Sequence, residues 1–103
     1  MSAKVLVLFE RPVDPGAFDH YYGSTHLPLV RAIPDLRSIE VSQGEILDPR
    51  GPAPVFQVTT LTFTSMDSLK AAMSSPQGEA ALRDITDFAT GGATVVMFDS
   101  QPA

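Results

Sequence analysis

The chain has 103 residues, of which 44% are hydrophobic and 18% are charged, a balance typical of one globular domain spanning residues 1–103. Seven basic and twelve acidic residues give a net charge of -5 at pH 7, so a nucleic acid is not expected as a partner. Cysteine is absent, which excludes disulfides, thiolate catalysis and cysteine zinc sites.

The first predicted element is a strand in the apolar run Val5–Phe9. This run is too short for the apolar region of a signal peptide, and no cleavage pattern follows it. No other stretch approaches the roughly 20 apolar residues that span a bilayer. We therefore expect a cytoplasmic protein without a membrane partner.

A helix is predicted to start where Asp14 precedes Pro15, a cap followed by a residue suited to the first helical position. The apolar residues that follow recur along one helical stripe: Phe18, Tyr22, Leu29, Val30 and Ile33. Pro28 interrupts this stripe, because proline lacks an N–H and its ring meets the carbonyl four residues back. We expect the helix to kink or restart near residues 26–28 and to end at Pro34.

The middle of the chain reads as two strands and a loop. Residues 36–47 alternate, with Ile39 and Val41 on one face. The proline- and glycine-rich segment 48–54 predicts a loop, and the β-branched and aromatic run 55–63 predicts a strand. The two strands are expected to pair as a long antiparallel hairpin.

Two more helices and a strand complete the pattern. Ser65 is expected to cap a helix, and Ser75-Pro76 is expected to start a second one that ends at Gly91-Gly92. The apolar stripe predicted for the second helix comprises Leu82, Ile85, Phe88 and Ala89. Residues 93–98 form the last predicted strand.

The order β-α-β-β-α-β predicts an α+β, ferredoxin-like domain with helices on one face of a four-stranded antiparallel sheet. The first and last strands are apolar on both faces, and a single helical layer covers only one of them. A second sheet from another copy of the chain would cover the other face, which predicts a homodimer formed through the sheets. The alternative is that these strands lie at the sheet centre and leave a small exposed apolar patch.

His26 is the main candidate for chemistry, since phosphate-loop, nucleophile-elbow and zinc-protease motifs are all absent. It lies four residues after Tyr22 and eight after Phe18, so it falls on the stripe that faces the sheet. Burial beside aromatic rings keeps an imidazole neutral and able to accept a proton, as a general base or an orienting donor. The alternative is that His26 donates to a carbonyl freed by Pro28 and only stabilises the kink.

The other polar residues suggest surface positions. His20 points away from His26 and forms no ligand set with nearby aspartates, so no metal site is expected. Asp84, beside the second helical stripe, is expected on a solvated face. Arg31 and Arg37 follow His26 and are candidates to pair with an anionic substrate, although a surface position is the simpler interpretation.

The sequence resembles the EthD family of the dimeric α+β barrel superfamily. The most specific parts are FDHYY at 18–22, HLPLV at 26–30 and IPDL at 33–36. Similar features follow at Ser75–Glu79, Phe88 and Gly91-Gly92, and the resemblance covers the chain from Val5 to Phe98. Asp35 is a departure, because the family commonly has glycine there, and it is expected to alter a turn rather than the fold.

This resemblance implies a homodimer whose sheets form a barrel, and a pocket inside each subunit for a small, hydrophobic, often cyclic molecule handled without a cofactor. His26 matches the family's recurrent histidine and is the implied catalytic residue. The implied substrate-binding residues are Phe9, Phe18, Tyr21 and Tyr22, with Tyr21 as a possible donor to a developing oxyanion.

The resemblance leaves the reaction open. It implies a cofactor-independent isomerase, lyase or monooxygenase acting by proton transfer in a catabolic or biosynthetic pathway. The alternative is a non-catalytic accessory protein that binds a metabolite in the same pocket. A haem or oxygen enzyme is a third alternative, because the wider superfamily includes both.

Overall fold

The computed structural model describes all 103 residues and shows one sheet with a layer of helices. The elements are β1 (Ser2–Phe9), α1 (Pro15–Tyr21), a π-helical turn (Tyr22–His26), α2 (Leu27–Arg31), β2 (Ser38–Val41), β3 (Leu47–Asp48), β4 (Gly51–Pro52), β5 (Gln57–Phe63), α3 (Met66–Ser74), α4 (Pro76–Phe88) and β6 (Ala93–Ser100). Four antiparallel strands form the sheet in the order β2-β5-β1-β6. This confirms the predicted α+β, ferredoxin-like fold.

The core lies between the helices and one face of the sheet. Alternate residues of β1 and β5 point into it and are at most 8% exposed: Ala3, Val5, Val7, Phe9, Gln57, Thr59, Leu61 and Phe63. The chain measures only 17 Å along its shortest axis, the thickness of two layers. The second face of the sheet therefore has no layer of this chain above it.

The central hairpin is shorter than the sequence suggests. Strand β2 covers only Ser38–Val41, rather than 36–47, and β5 begins at Gln57, rather than at Val55. Between them, β3 and β4 pair through Leu47–Pro52 and Asp48–Gly51 in a small separate hairpin within the predicted loop. The prolines and glycines of this connection end the main ladder early, because proline cannot donate to it.

The first helical segment restarts where Pro28 predicts a disturbance. Asp14 caps α1 by accepting a hydrogen bond from the backbone N–H of Ala17. Five residues then form a π-helical turn, in which the N–H of Leu27 donates to the carbonyl of Tyr22, and α2 follows. The wider turn accommodates a proline that a regular α-helix would reject.

The helices α3 and α4 meet at a close contact around Gly78. Ser65 and Ser75 cap them through hydrogen bonds from the N–H groups of Ser68 and Gly78, as the sequence predicts. A Cβ atom on Gly78 would overlap the carbonyl oxygen of Ala72 and lie 2.7 Å from the Cα of Met73. Only glycine permits this approach between the two helices.

Asp35 occupies a turn position that favours glycine. Its φ is 60°, in the left-handed region, and it is the only residue other than glycine with a positive φ. Aspartate is among the residues that tolerate this region, because its short side chain bonds locally. The departure from the family pattern therefore changes the turn residue and leaves the fold intact.

No helix of the chain is both long and apolar enough to cross a bilayer. The longest, α4, has 13 residues.

We predict that Gly78→Ala lowers the free energy of unfolding by about 1–3 kcal/mol, because the new methyl group forces α3 and α4 apart. Gly16→Ala is the matched control, since a Cβ there meets only a side-chain oxygen at 3.5 Å. Urea denaturation followed by circular dichroism measures both. Equal stabilities of the two variants would contradict the close contact.

Candidate functional site

His26 is buried at the end of the π-helical turn, on the face of the helical segment that packs against the sheet. It is 4% exposed. Its ring centroid lies 4.7 Å from that of Phe88 and 5.6 Å from that of Tyr22. The expectation that His26 lies beside aromatic rings is confirmed.

Asp84 of α4 fixes the orientation of His26. Its Oδ2 atom lies 3.0 Å from Nδ1 of His26, and its Oδ1 atom accepts a hydrogen bond of 2.7 Å from the hydroxyl of Tyr21. Each carboxylate oxygen thus has its own partner, as a buried carboxylate requires. With Nδ1 engaged by an acceptor, Nε2 is the nitrogen that can exchange a proton with a bound molecule.

Burial and Asp84 act in opposite directions on His26. Burial lowers the pKa of His26 and is the larger effect, while the hydrogen bond and the charge of Asp84 raise it. The net pKa lies below the ordinary value of 6.5. His26 is therefore neutral at pH 7, with a proton on Nδ1 and a lone pair on Nε2.

Tyr21 supports Asp84. Its hydroxyl donates to the carboxylate, and this interaction raises the pKa of Tyr21 to about 12. The hydroxyl hydrogen is thus directed at Asp84, whereas the sequence suggests it as a donor to an oxyanion. Its ring stacks on Phe88, with a centroid distance of 5.1 Å.

A second row of buried polar groups runs beside the histidine. The hydroxyl of Thr59 donates to Oε1 of Gln57 at 3.2 Å, and the hydroxyl of Tyr22 lies 2.8 Å from Oγ1 of Thr59. Because Thr59 has a single hydroxyl hydrogen, Tyr22 is the donor to Thr59. Burial also raises the pKa of Tyr22.

A narrow cavity separates these groups from the sheet, and we call it the His26 cavity. Its lining residues are Val5, Val7, Phe9, His26, Val30, Ile33, Thr59, Leu61, Met73, Ala81, Leu82 and Ile85. About 20 Å³ of it is open to the centre of a water molecule, enough for about one water. A larger ligand must displace lining side chains.

The structure distributes the predicted site residues over two layers. His26 and Phe9 line the cavity. Phe18 and Tyr22 belong to the aromatic core behind the cavity, and Phe9 contacts both at centroid distances of 5.2 and 6.1 Å. Tyr21 lies at the outer side of Asp84.

The expectation of a solvated Asp84 is wrong, since the residue is 8% exposed. The sequence stripe was placed through Leu82 and Ile85, which are only half-buried, whereas the buried side of α4 passes through Gly78, Ala81, Asp84 and Phe88. The spacing of these four residues fits a helical face, and Gly78 is the signal that could have revealed it. The histidine donates to Asp84 rather than to a freed carbonyl.

No three histidine, aspartate or glutamate side chains converge in a group that would hold a metal ion.

The fold and site define a ferredoxin-like α+β protein with a buried histidine–aspartate pair beside an intrachain cavity. The EthD domain model matches residues 10–92, and the chain belongs to the EthD family. An uncharacterised 11.0 kDa protein from the thcB–thcC intergenic region of Rhodococcus erythropolis is 34% identical over 98 residues, covering 95% of this chain and 94% of that protein.

Solved structures agree with this assignment. An ethyl tert-butyl ether D (EthD) family protein from Bacillus halodurans is 32% identical, with a TM-score of 0.89, and the match covers 98% of this chain and 100% of the other. Two more distant structures share the fold. A dimeric ferredoxin-like protein from Thermobifida fusca is 19% identical, with a TM-score of 0.67 and coverages of 95% and 90%. SnoaB, a cofactor-independent oxygenase from Streptomyces nogalater, is 11% identical, with a TM-score of 0.68 and coverages of 99% and 95%.

We predict that Asp84→Asn lowers the pKa of His26 further, because the variant removes the charge that favours the imidazolium. A pH titration of the histidine ring protons by NMR measures the pKa, and His20→Gln assigns the two signals. A pKa of His26 above 6.5 in the unmodified protein would show that Asp84 outweighs burial.

The same shift sets a direction for stability. Since the folded-state pKa of His26 is depressed, its contribution to stability is fully present above the unfolded value of 6.5. That contribution is lost as the pH falls through the folded-state pKa.

Proposed function

We propose that this protein is a cofactor-independent enzyme that moves a proton on a small, apolar, cyclic molecule, with His26 as the base. The single observation that carries the proposal is the hydrogen bond between His26 and Asp84 beside the cavity. It presents a neutral imidazole, with Nε2 free of protein partners, to a space lined mainly by apolar side chains. Such an environment suits a general base that operates near neutral pH.

The chemistry consists of two proton transfers. Nε2 of His26 removes a proton from a carbon next to a carbonyl group, and the substrate becomes an enolate. The imidazolium then returns the same proton to another carbon of the conjugated system, so the reaction is an isomerisation with no net gain or loss of atoms. Asp84 stabilises the transient imidazolium through Nδ1, as a carboxylate does when it orients a catalytic histidine.

The surrounding hydroxyl groups limit what else the site can do. The hydroxyl hydrogens of Tyr21, Tyr22 and Thr59 all point to other protein atoms. In this arrangement, the imidazolium itself is the group that faces the enolate oxygen. A cavity of this kind favours isomerisation or elimination at an activated C–H bond over hydrolysis of an unactivated one.

SnoaB provides one instance of chemistry without a cofactor on the same fold. The alternative function is a binding protein that holds a metabolite by a hydrogen bond to His26 and does not turn it over. The small size of the cavity is compatible with both, because either ligand must displace Met73, Leu82 or Ile85.

We infer that the working form is a homodimer joined through the open face of the sheet. That face carries five apolar side chains from three strands: Leu6, Leu8, Val58, Val96 and Phe98. Val96 and Phe98 are 41% and 39% exposed in the single chain. A contiguous apolar surface of this kind is typical of an interface, and the dimeric Thermobifida fusca protein shares the fold.

Isomerisation of α-angelica lactone tests the proton transfer. This small butenolide has an acidic C–H bond, and moving one proton shifts its double bond into conjugation. We expect the protein to accelerate the shift in deuterated water, with deuterium incorporated at the reprotonated carbon. We expect His26→Gln to reduce the rate about 10²–10⁴-fold, the usual contribution of a general base.

The controls separate chemistry from folding. His20→Gln removes the only other histidine, on an exposed surface, and should leave the rate unchanged. Asp84→Asn should reduce the rate by about tenfold or more while the lactone still binds, because the imidazole loses its charged partner. Saturable binding of the lactone without isomerisation would instead support the binding protein.

Light scattering tests the dimer. We expect a mass close to twice 11.0 kDa. Val96→Lys should yield the monomer, because burying an unpaired ammonium at the interface costs several kcal/mol. Val13→Lys is the matched control, since Val13 is 87% exposed and lies outside the sheet. A monomeric unmodified protein would contradict the proposal.

A further inference from the structure

A second, wider cleft lies beside the His26 cavity, and we call it the arginine cleft. Its volume by the same measure is about 470 Å³. Its lining residues are Leu27, Arg31, Ile33, Asp35, Leu36, Arg37, Ser38, Ile39 and Val41. It lies above the edge strand β2, between that strand, the end of α2 and the turn that follows.

The strand register shows that the two spaces are neighbours. Ile39 and Val41 of the arginine cleft pair directly with Leu61 and Thr59, which line the His26 cavity. Ile33 lines both spaces. Neighbouring strands are about 4.8 Å apart, so a molecule of two linked groups is long enough to occupy both.

The charges of the cleft favour an anion. Arg31 and Arg37 are exposed and form no ion pair, because the one ion pair of the chain joins His26 and Asp84. Asp35 is the only acidic residue among the lining residues, so the cleft carries a net charge of +1 in a chain of net charge -5. A single positive charge in excess matches a monoanion, such as a carboxylate.

The arginine cleft also communicates electrostatically with the buried groups. The positive charge of Arg31 opposes the rise that burial imposes on the pKa of Tyr22. The guanidinium is therefore close enough to act on the hydroxyl that donates to Thr59, a residue of the His26 cavity. A negative group placed at Arg31 lies at the entrance of the proposed reaction space.

We propose that the substrate is a small cyclic carboxylate whose anionic group binds Arg31 and Arg37 while its apolar part enters the His26 cavity. This inference rests on the proposed function, because it supplies the substrate class for that site. Guanidinium groups bind carboxylates through paired, charge-assisted hydrogen bonds, which fix orientation as well as position. The apolar ring then needs only shape and exclusion of water in the inner cavity.

Titrations with phenylacetate and phenylacetamide, followed by backbone amide NMR, test the arginine cleft. The two probes share a ring and differ in charge. We expect phenylacetate to bind about tenfold more tightly or better, with shifts at residues of both spaces, and the Arg31→Gln/Arg37→Gln variant to lose that advantage. The Arg50→Gln/Arg83→Gln variant makes the same change in net charge at exposed positions outside both spaces, and should keep it.

Equal affinities for the two probes, or an equal loss in both double variants, would overturn the carboxylate proposal. The test is independent of turnover, because His26→Gln should keep phenylacetate binding to the arginines. If His26→Gln still isomerises the lactone while the arginine variant loses phenylacetate, the proposed function fails and the carboxylate site stands. If the lactone reaction depends on His26 and phenylacetate does not distinguish the arginine variant, the reverse holds.

Discussion

The hydrogen bond between His26 and Asp84 joins two helical segments at the one point where both bury a polar side chain. A carboxylate in this position is tolerable only because each oxygen has a donor, His26 on one side and Tyr21 on the other. The contact therefore restricts how α4 can pack against the π-helical turn. Gly78 allows the same helix to approach α3, so both ends of α4 are positioned by specific contacts rather than by apolar packing alone.

Local signals in the sequence predicted most of the fold. The caps at Asp14, Ser65 and Ser75 and the disturbance at Pro28 depend only on nearby residues, and the structure shows each of them. The ends of β2 and β5 were less accurate, because strand length depends on which partner groups remain paired across a proline-rich connection.

The site was predicted only in part, for a physical reason. His26 could be identified because its spacing from Tyr22 and Phe18 places it on the buried stripe, and its proximity to a proline gave a second signal. Asp84 was missed because an aspartate in a helix is normally solvated, and its burial depends on partners 58 and 63 residues away in the chain. The row from Tyr22 through Thr59 to Gln57 is equally non-local, since strand propensity already explained the threonine.

The π-helical turn has a consequence for how the chain tolerates length changes. It places Phe18 and Tyr22 before it, and Val30 and Ile33 after it, on the sheet side of one segment. Removing one residue from 23–25 would restore ordinary α-helical winding, but would turn everything downstream by about 100° about the helix axis. One side of the deletion would keep its phase with the sheet, and His26 would leave the register in which it meets Asp84. The extra residue thus acts as a phase setter, and insertions or deletions here should be far less tolerated than in the β3–β4 connection.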